Sequence, residues 1–227
     1  MLGAGRLLDA DLTMLCARCD EVHLFDADPS CVTEWKRQAG RDYGRRVVPH
    51  VVDVTGTIEE WSGILRRASS HEYEQCLSAL EAPLPQWRHD GFDGIISLNL
   101  LGQIPLYWRD RVLRMKEALS PAEWSALSGS MGRLQRAHLQ ALRESSATWS
   151  IVISDTEYYF YHVDESHWRF ESAIFDPVVR ESLEAAAAAR LESRESWLWH
   201  LAPQFIESDE EGEIHRVQAV FIRAGQS

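Results

Sequence analysis

The sequence predicts an α/β fold: a mostly parallel, doubly wound sheet closed by an antiparallel pair of strands at its carboxyl-terminal end. Three observations predict it. From residue 21 onward, short β-branched apolar runs alternate with stretches that carry helix-capping signals. Successive strand ends carry polar residues, Asp26, Asp53, Asn99 and Asp155, and open α/β sheets collect their ligands at the carboxyl ends of strands. Two apolar runs, 196–203 and 214–225, close the chain around the acidic stretch "ESDEEGE", which reads as a solvated turn. With 227 residues, 45% of them hydrophobic, the chain can bury one domain's core. No linker interrupts it, so residues 1–227 read as a single domain.

In chain order, Asp9 to about Cys19 reads as a helix that follows the glycines of "LGAG". "EVHLFDAD" (21–28) is a strand ending in acids. "SCVTEWKRQAG" (30–40) begins with Ser and ends with Gly, as a helix does. "RRVVPHVVDVTG" (45–56) is the next strand. Residues 57–82 are helical with a break near Ser69–Ser70, and "FDGIISLNLLGQIP" (92–105) is a buried strand running into a polar turn. Residues 107–145 are helical with an interruption at Ser120–Pro121. "ATWSIVISDTEYYFYHV" (147–163) is a strand. The alanine-rich run 178–194 is a helix, given an apolar face by Leu183 and Leu191.

Charge and cysteine content narrow the function classes. Acidic residues outnumber basic ones 35 to 23, a formal charge of −12, and that field repels phosphate backbones. Nucleic acid is therefore not expected as the main partner. No run approaches the roughly 20 apolar residues of a membrane span, and Asp9 and Asp11 stand where a signal peptide needs an apolar stretch. Cys16, Cys19, Cys31 and Cys76 lack a second Cys-x-x-Cys or a paired His run to complete a zinc set. No metal is expected, and a reducing cytoplasm is the simplest home.

Gly3-Ala4-Gly5 is the candidate ligand loop. Glycines let a backbone turn sharply and approach a ligand where a Cβ would intrude. Asp26 follows Gly3 at about the spacing, roughly 20 residues, of an acid that accepts from both ribose hydroxyls in a βαβ nucleotide site. The dinucleotide fingerprint G-x-G-x-x-G would need glycine where Leu8 stands. A pyrophosphate gains nothing from Asp9 and Asp11. A cofactor without phosphates that carries an ammonium and a sulfonium, such as S-adenosylmethionine, tolerates that acidic mouth better than NAD does. The plainer alternatives are a tight turn for the glycines, a helix cap for Asp26 and simple turn chemistry for the Asp53-x-Thr-Gly run.

"LGAGRLLD", "VHLFDADP", "VVPHVVDV", "DGIISLNLLGQIP" and the closing "WLWHLAP…HRVQAVFIR" resemble motifs of the class I S-adenosylmethionine-dependent methyltransferases, in a poorly characterised bacterial branch, over nearly the whole chain. The resemblance implies a Rossmann-like, seven-stranded sheet whose last strand is inserted antiparallel. It implies that the Gly3–Gly5 loop holds the methionine part of the cofactor, Asp26 the ribose and Asp53 the adenine amino group. Leu7 replaces the family's third glycine, so the loop is expected to follow a different path. Only Met1-Leu2 stand where a first strand should precede Gly3, so the natural protein is expected to begin upstream, with that strand and a helix before it.

Ser97, Asn99 and Gln103 sit where cofactor and acceptor should meet, with Ser97 on the cofactor side. Asn99, His138 and Asp155 are the catalytic candidates. The plain reading of Asn99 is a turn side chain, and that of His138 is a helix residue of surface or core. The acceptor, a small molecule or another group, is not identified by the sequence; "SLNLLG" replaces the Asn/Asp-Pro-Pro-Tyr/Phe stretch of relatives that methylate nucleobase or glutamine nitrogens, which disfavours that chemistry. Two other classes stay open: a methyltransferase-like binding module without catalysis and, more weakly, an NAD-dependent oxidoreductase.

Overall fold

Strand–helix alternation organises the first half of the chain. A computed structural model describes residues 1–7, 10–162, 168–188, 194–202 and 211–223. Helix α1 (Leu12–Arg18) leads into β1 (Val22–Asp26), followed by α2 (Cys31–Tyr43) and β2 (Val47–Val51). α3 (Ile58–Arg67) and α4 (Tyr73–Ala79) come next, then β3 (Gly94–Leu98), α5 (Leu100–Met115) and α6 (Pro121–Arg143). The remainder is β4 (Trp149–His162), β5 (Trp168–Ser172), α7 (Pro177–Ala188), β6 (Arg194–Ala202) and β7 (Glu211–Arg223). Most of the acidic turn expected between the last two strands, the end of the alanine-rich helix with Leu191, and Leu8 and Asp9 lie outside the described residues.

β1 pairs in parallel with β2, and β3 pairs in parallel with β4. β7 inserts antiparallel between β4 and β6. Leu2 makes parallel bridges to both Phe25 of β1 and Ser97 of β3. The spatial order is therefore β2, β1, Leu2, β3, β4, β7, β6. This is an open sheet, parallel from β2 through β3 to β4 and antiparallel from β4 through β7 to β6. β1 carries side chains to both faces, as strand alternation requires: Val22 and Leu24 join Trp35 and Cys16 in one apolar cluster, and Phe25 joins the larger core around Trp61, Trp108 and Leu134.

Element boundaries follow local chemistry. Asp11 caps α1 by accepting from the amide of Met14 at 3.0 Å, so that helix starts three residues later than expected. The helical stretch 57–82 breaks as expected, with the Ser69 amide on Glu72 at 3.0 Å between α3 and α4. The interruption at Ser120–Pro121 is a capping box: Ser120 Oγ accepts from the Glu123 amide and Glu123 accepts from the Ser120 amide.

Three expectations change. The polar turn expected to follow the strand within 92–105 is a helix: β3 stops at Leu98 and α5 begins at Leu100 with Pro105 inside it. The carbonyl of Leu101, which Pro105 cannot serve, accepts instead from Gln135 Nε2 at 2.5 Å. β5 is an unforeseen strand; it takes the edge of β4 that β3 leaves, pairing antiparallel at Glu157–Tyr161. Asp155 does not end β4, which runs seven residues further because β7 and β5 flank it there.

Candidate functional site

Two clefts open at the carboxyl ends of β1, β2 and β3, and they share Gln103. The first, about 390 Å³, is lined by Gly3, Asp26, Asp53, Leu100, Gln103 and Tyr107 among others, a size suited to a small molecule. Gly3 has φ +69°, and a Cβ there would meet Leu98 O at 2.6 Å and the Leu100 side chain at 2.7 Å. Only glycine lets the loop lie this close to the start of α5. The amide of Gly5 donates to Asp26 Oδ2 at 2.8 Å, and the Asp28 amide donates to Oδ1 at 2.9 Å. Asp26 is thereby fixed at the cleft wall, with each oxygen holding a further lone pair for a ligand donor.

Asp53 also lines this cleft, its carboxylate braced by three local hydrogen bonds. Oδ1 accepts from the Thr55 amide and hydroxyl at 2.9 and 2.7 Å, and Oδ2 accepts from the Ile58 amide at 3.1 Å at the start of α3. It shapes the cleft as a turn and helix cap. The mouth is apolar: Val51, Val52 and Tyr107 rank among the exposed large hydrophobic side chains of the described residues, and all three line it. A flat ring can lie against such a shelf.

The loop itself turns differently from its glycine count. Leu7 holds φ +55°, a left-handed conformation that costs a leucine about 1–2 kcal/mol and a glycine almost nothing. Its side chain is buried with Leu12 and Trp35, and Trp35 Nε1 donates to the Gly5 carbonyl at 2.7 Å. Packing compensates the backbone strain. Ala4 is buried in the same cluster and, like Gly5, does not line the cleft.

The second cleft, about 670 Å³, lies beyond the end of β3, along β4, β5 and β7. Asn99, at the junction of β3 and α5, adopts φ +56°, a conformation to which Asn is better suited than most residues. Its side chain caps nothing, and Oδ1 is buried without a partner. Asp155 stands opposite on β4, immediately before a register shift against β7, an irregularity of the kind that re-aims side chains. Asp155 Oδ2 pairs with His215 Nδ1 at 3.1 Å, and His215 Nε2 pairs with Glu213 at 2.8 Å. Burial alone draws the His215 imidazole down, but its hydrogen bonds to Asp155 and Glu213, with their charges, outweigh burial and hold it above the ordinary value. Tyr158 meets that ring edge-on at 4.6 Å, and burial, with Asp155 and Glu213 nearby, pushes its phenol up.

The sequence-predicted residues thus divide. Gly3, Asp26 and Asp53 come together at the first cleft, Asn99 and Asp155 at the second, and Gln103 joins them. Ser97 and His138 are in neither. Ser97 is fully buried, and its Oγ lies 2.7 Å from His138 Nε2. His138 is 2% exposed, and burial drives its pKa to about 4. A neutral imidazole sealed beneath Trp87 has no path to a substrate proton. His215 and Glu213 went unnoticed in the sequence, where the only signal is an acid-x-His alternation that puts both on one face of a strand.

Among the described residues no group of His, Cys, Asp and Glu could hold a metal ion, and no helix is long and apolar enough to cross a membrane. A scan against protein-family models and a search of curated proteins find no match to this chain.

Proposed function

We propose that the protein is an S-adenosylmethionine-dependent methyltransferase of the class I kind, acting on a small-molecule acceptor from a doubly wound, Rossmann-like sheet. The observation that carries the reading is the 2.8 Å bond from the Gly5 amide to Asp26 at the edge of a cleft with an apolar mouth. The strand order, with β7 inserted antiparallel beside β4, supports it, as do apolar clusters on both faces of β1. So does Leu7, which supplies a left-handed residue where the family has its third glycine.

The residues fit the cofactor at three points. Asp26 offers free lone pairs to ribose hydroxyls, Val51 and Val52 offer a surface to adenine, and Gly3, packed by its backbone against Leu98 and Leu100, sets the wall along which the methionine portion would lie. Asp53 serves by holding the turn that carries Val54 and Thr55. When bound, the cofactor supplies a methyl group already activated on a sulfonium, so the protein's task is to position an acceptor in line. Gln103, common to both clefts, marks where the two ligands would meet. A net charge of −12 argues against a nucleic-acid substrate, and four free cysteines suit a reducing cytoplasm.

Calorimetry with S-adenosylmethionine, S-adenosylhomocysteine and NAD tests this directly. Micromolar binding of the first two supports the methyltransferase. Binding of NAD alone overturns it in favour of an oxidoreductase, and binding of none favours an interaction module.

A further inference from the structure

The second cleft carries an unmet demand of one kind. Asn99 Oδ1 and Asp155 Oδ1 both lack a hydrogen-bond partner, and their residues are 9% and 6% exposed. Both atoms are acceptors, and a buried acceptor left alone is costly. What satisfies them must donate. Two acceptors call for two hydrogens on one ligand, which an amino group has and a single hydroxyl has not.

The charges around them point the same way. Asp155 and Glu213 share the one imidazole of His215, leaving that end acidic even with His215 protonated. On the facing walls Arg169 is engaged by Glu171 at 3.1 Å, and Arg109 by Asp110 at 3.1 Å. A carboxylate ligand would meet repulsion from Asp155 and Glu213 at the floor, and each wall arginine already faces a carboxylate. The sides are aromatic: Tyr158, Phe160 and Trp199 line the cleft, with Arg169 stacked 4.4 Å from the Phe160 ring.

We propose that this cleft binds an aromatic amine, its two N–H groups donating to Asp155 and Asn99 and its ring lying against Phe160 and Trp199. The binding stands on this geometry alone; its role as methyl acceptor rests on the methyltransferase reading above. In that role the amine nitrogen's lone pair forms the N–CH3 bond while the S–CH3 bonding pair stays on sulfur, which leaves as the neutral thioether of S-adenosylhomocysteine. The proton released from nitrogen passes to the Asp155 carboxylate, with His215 and Glu213 holding that carboxylate in place.

Ligand-observed NMR with aniline, phenol and benzoate on the full chain tests the site without requiring turnover. Aniline should bind, with phenol weaker and benzoate absent. Asp155→Asn should weaken aniline by about tenfold or more. Trp199→Ala, at a side chain already 36% exposed and so no burden on folding, should weaken it as well. Failure of aniline to bind, equal binding of phenol or benzoate, or indifference to both substitutions overturns the proposal. Calorimetry with S-adenosylhomocysteine on the same samples separates the two readings. If the homocysteine compound binds and aniline does not, this site falls while the cofactor cleft stands. Aniline binding alone upholds the site and removes its acceptor role.

Discussion

Asp26 gives one carboxylate oxygen to Gly5 and the other to Asp28, so it is both a brace for the loop and the candidate ribose ligand. Asp26→Ala should weaken S-adenosylhomocysteine by about 1–3 kcal/mol in calorimetry; unchanged affinity would reject the ribose assignment. Two histidines make opposite statements about pH. His138 has its folded pKa lowered to about 4 against roughly 6.5 unfolded. Its neutral burial therefore stabilises above pH 6.5, and that contribution, on the order of 3 kcal/mol, is lost as pH falls toward 4. His215 is raised, so its contribution is present below about pH 6.5 and fades as pH rises through its folded value. Thermal unfolding should show the difference between wild type and His215→Gln shrinking from pH 6 to pH 9. The difference from His138→Gln should shrink from pH 7 to pH 4.5. The same trend in both would mean that one of these environments is misassigned.

At the scale of elements, the sequence was most readable where local chemistry decides. The expected strand 21–28 is β1 at Val22–Asp26, and the capping box at Ser120 splits α5 from α6 where Ser-Pro said it would. It was least readable where a distant side chain decides. "IISLNLLGQIP" reads as an apolar strand running into a polar turn, and nothing local says that a helix containing Pro105 begins at Leu100 instead. The answer lies 34 residues away in Gln135, which donates to Leu101 O and Ala173 O and accepts from the amides of Phe175 and Asp176. One fully buried amide thus ties α5, α6 and the approach to α7 together. Gln135→Leu keeps the volume and strands these groups, which should cost about 3 kcal/mol or more in urea unfolding. A loss below 1 kcal/mol would show that the helix tolerates Pro105 unaided. β5 and the acid-x-His of β7 were illegible for the same reason: a five-residue exposed strand and a paired histidine acquire meaning only once β4 lies between them.

Across the whole molecule, two groups of strands meet at a seam around Leu2. β1 and β2 meet β3 through Leu2, whose amide and carbonyl bond to Ile96 and Leu98, while the flanking Met1 carbonyl and Gly3 amide bond to Phe25. The β4–β7 ladder, by contrast, runs unbroken except for one shift from Trp149 to His162. Backbone amides of β1 and β3 at this junction should report, through their exchange with deuterium, any ligand that bridges it. The first cleft spans that seam, with Asp26 and Asp53 on one side and Leu100, Gln103 and Tyr107 on the other. A ligand that touches both sides binds only the closed form, so it stabilises the closed form by mass action, about 2.7 kcal/mol at a hundred times its dissociation constant. S-adenosylhomocysteine at that concentration should slow exchange at Leu24 and Phe25 by up to about a hundredfold and leave β7 nearly unchanged. Protection confined to α5, with β1 and β2 exchanging as before, would mean that the ligand sits on one side only and that Asp26 does not hold it.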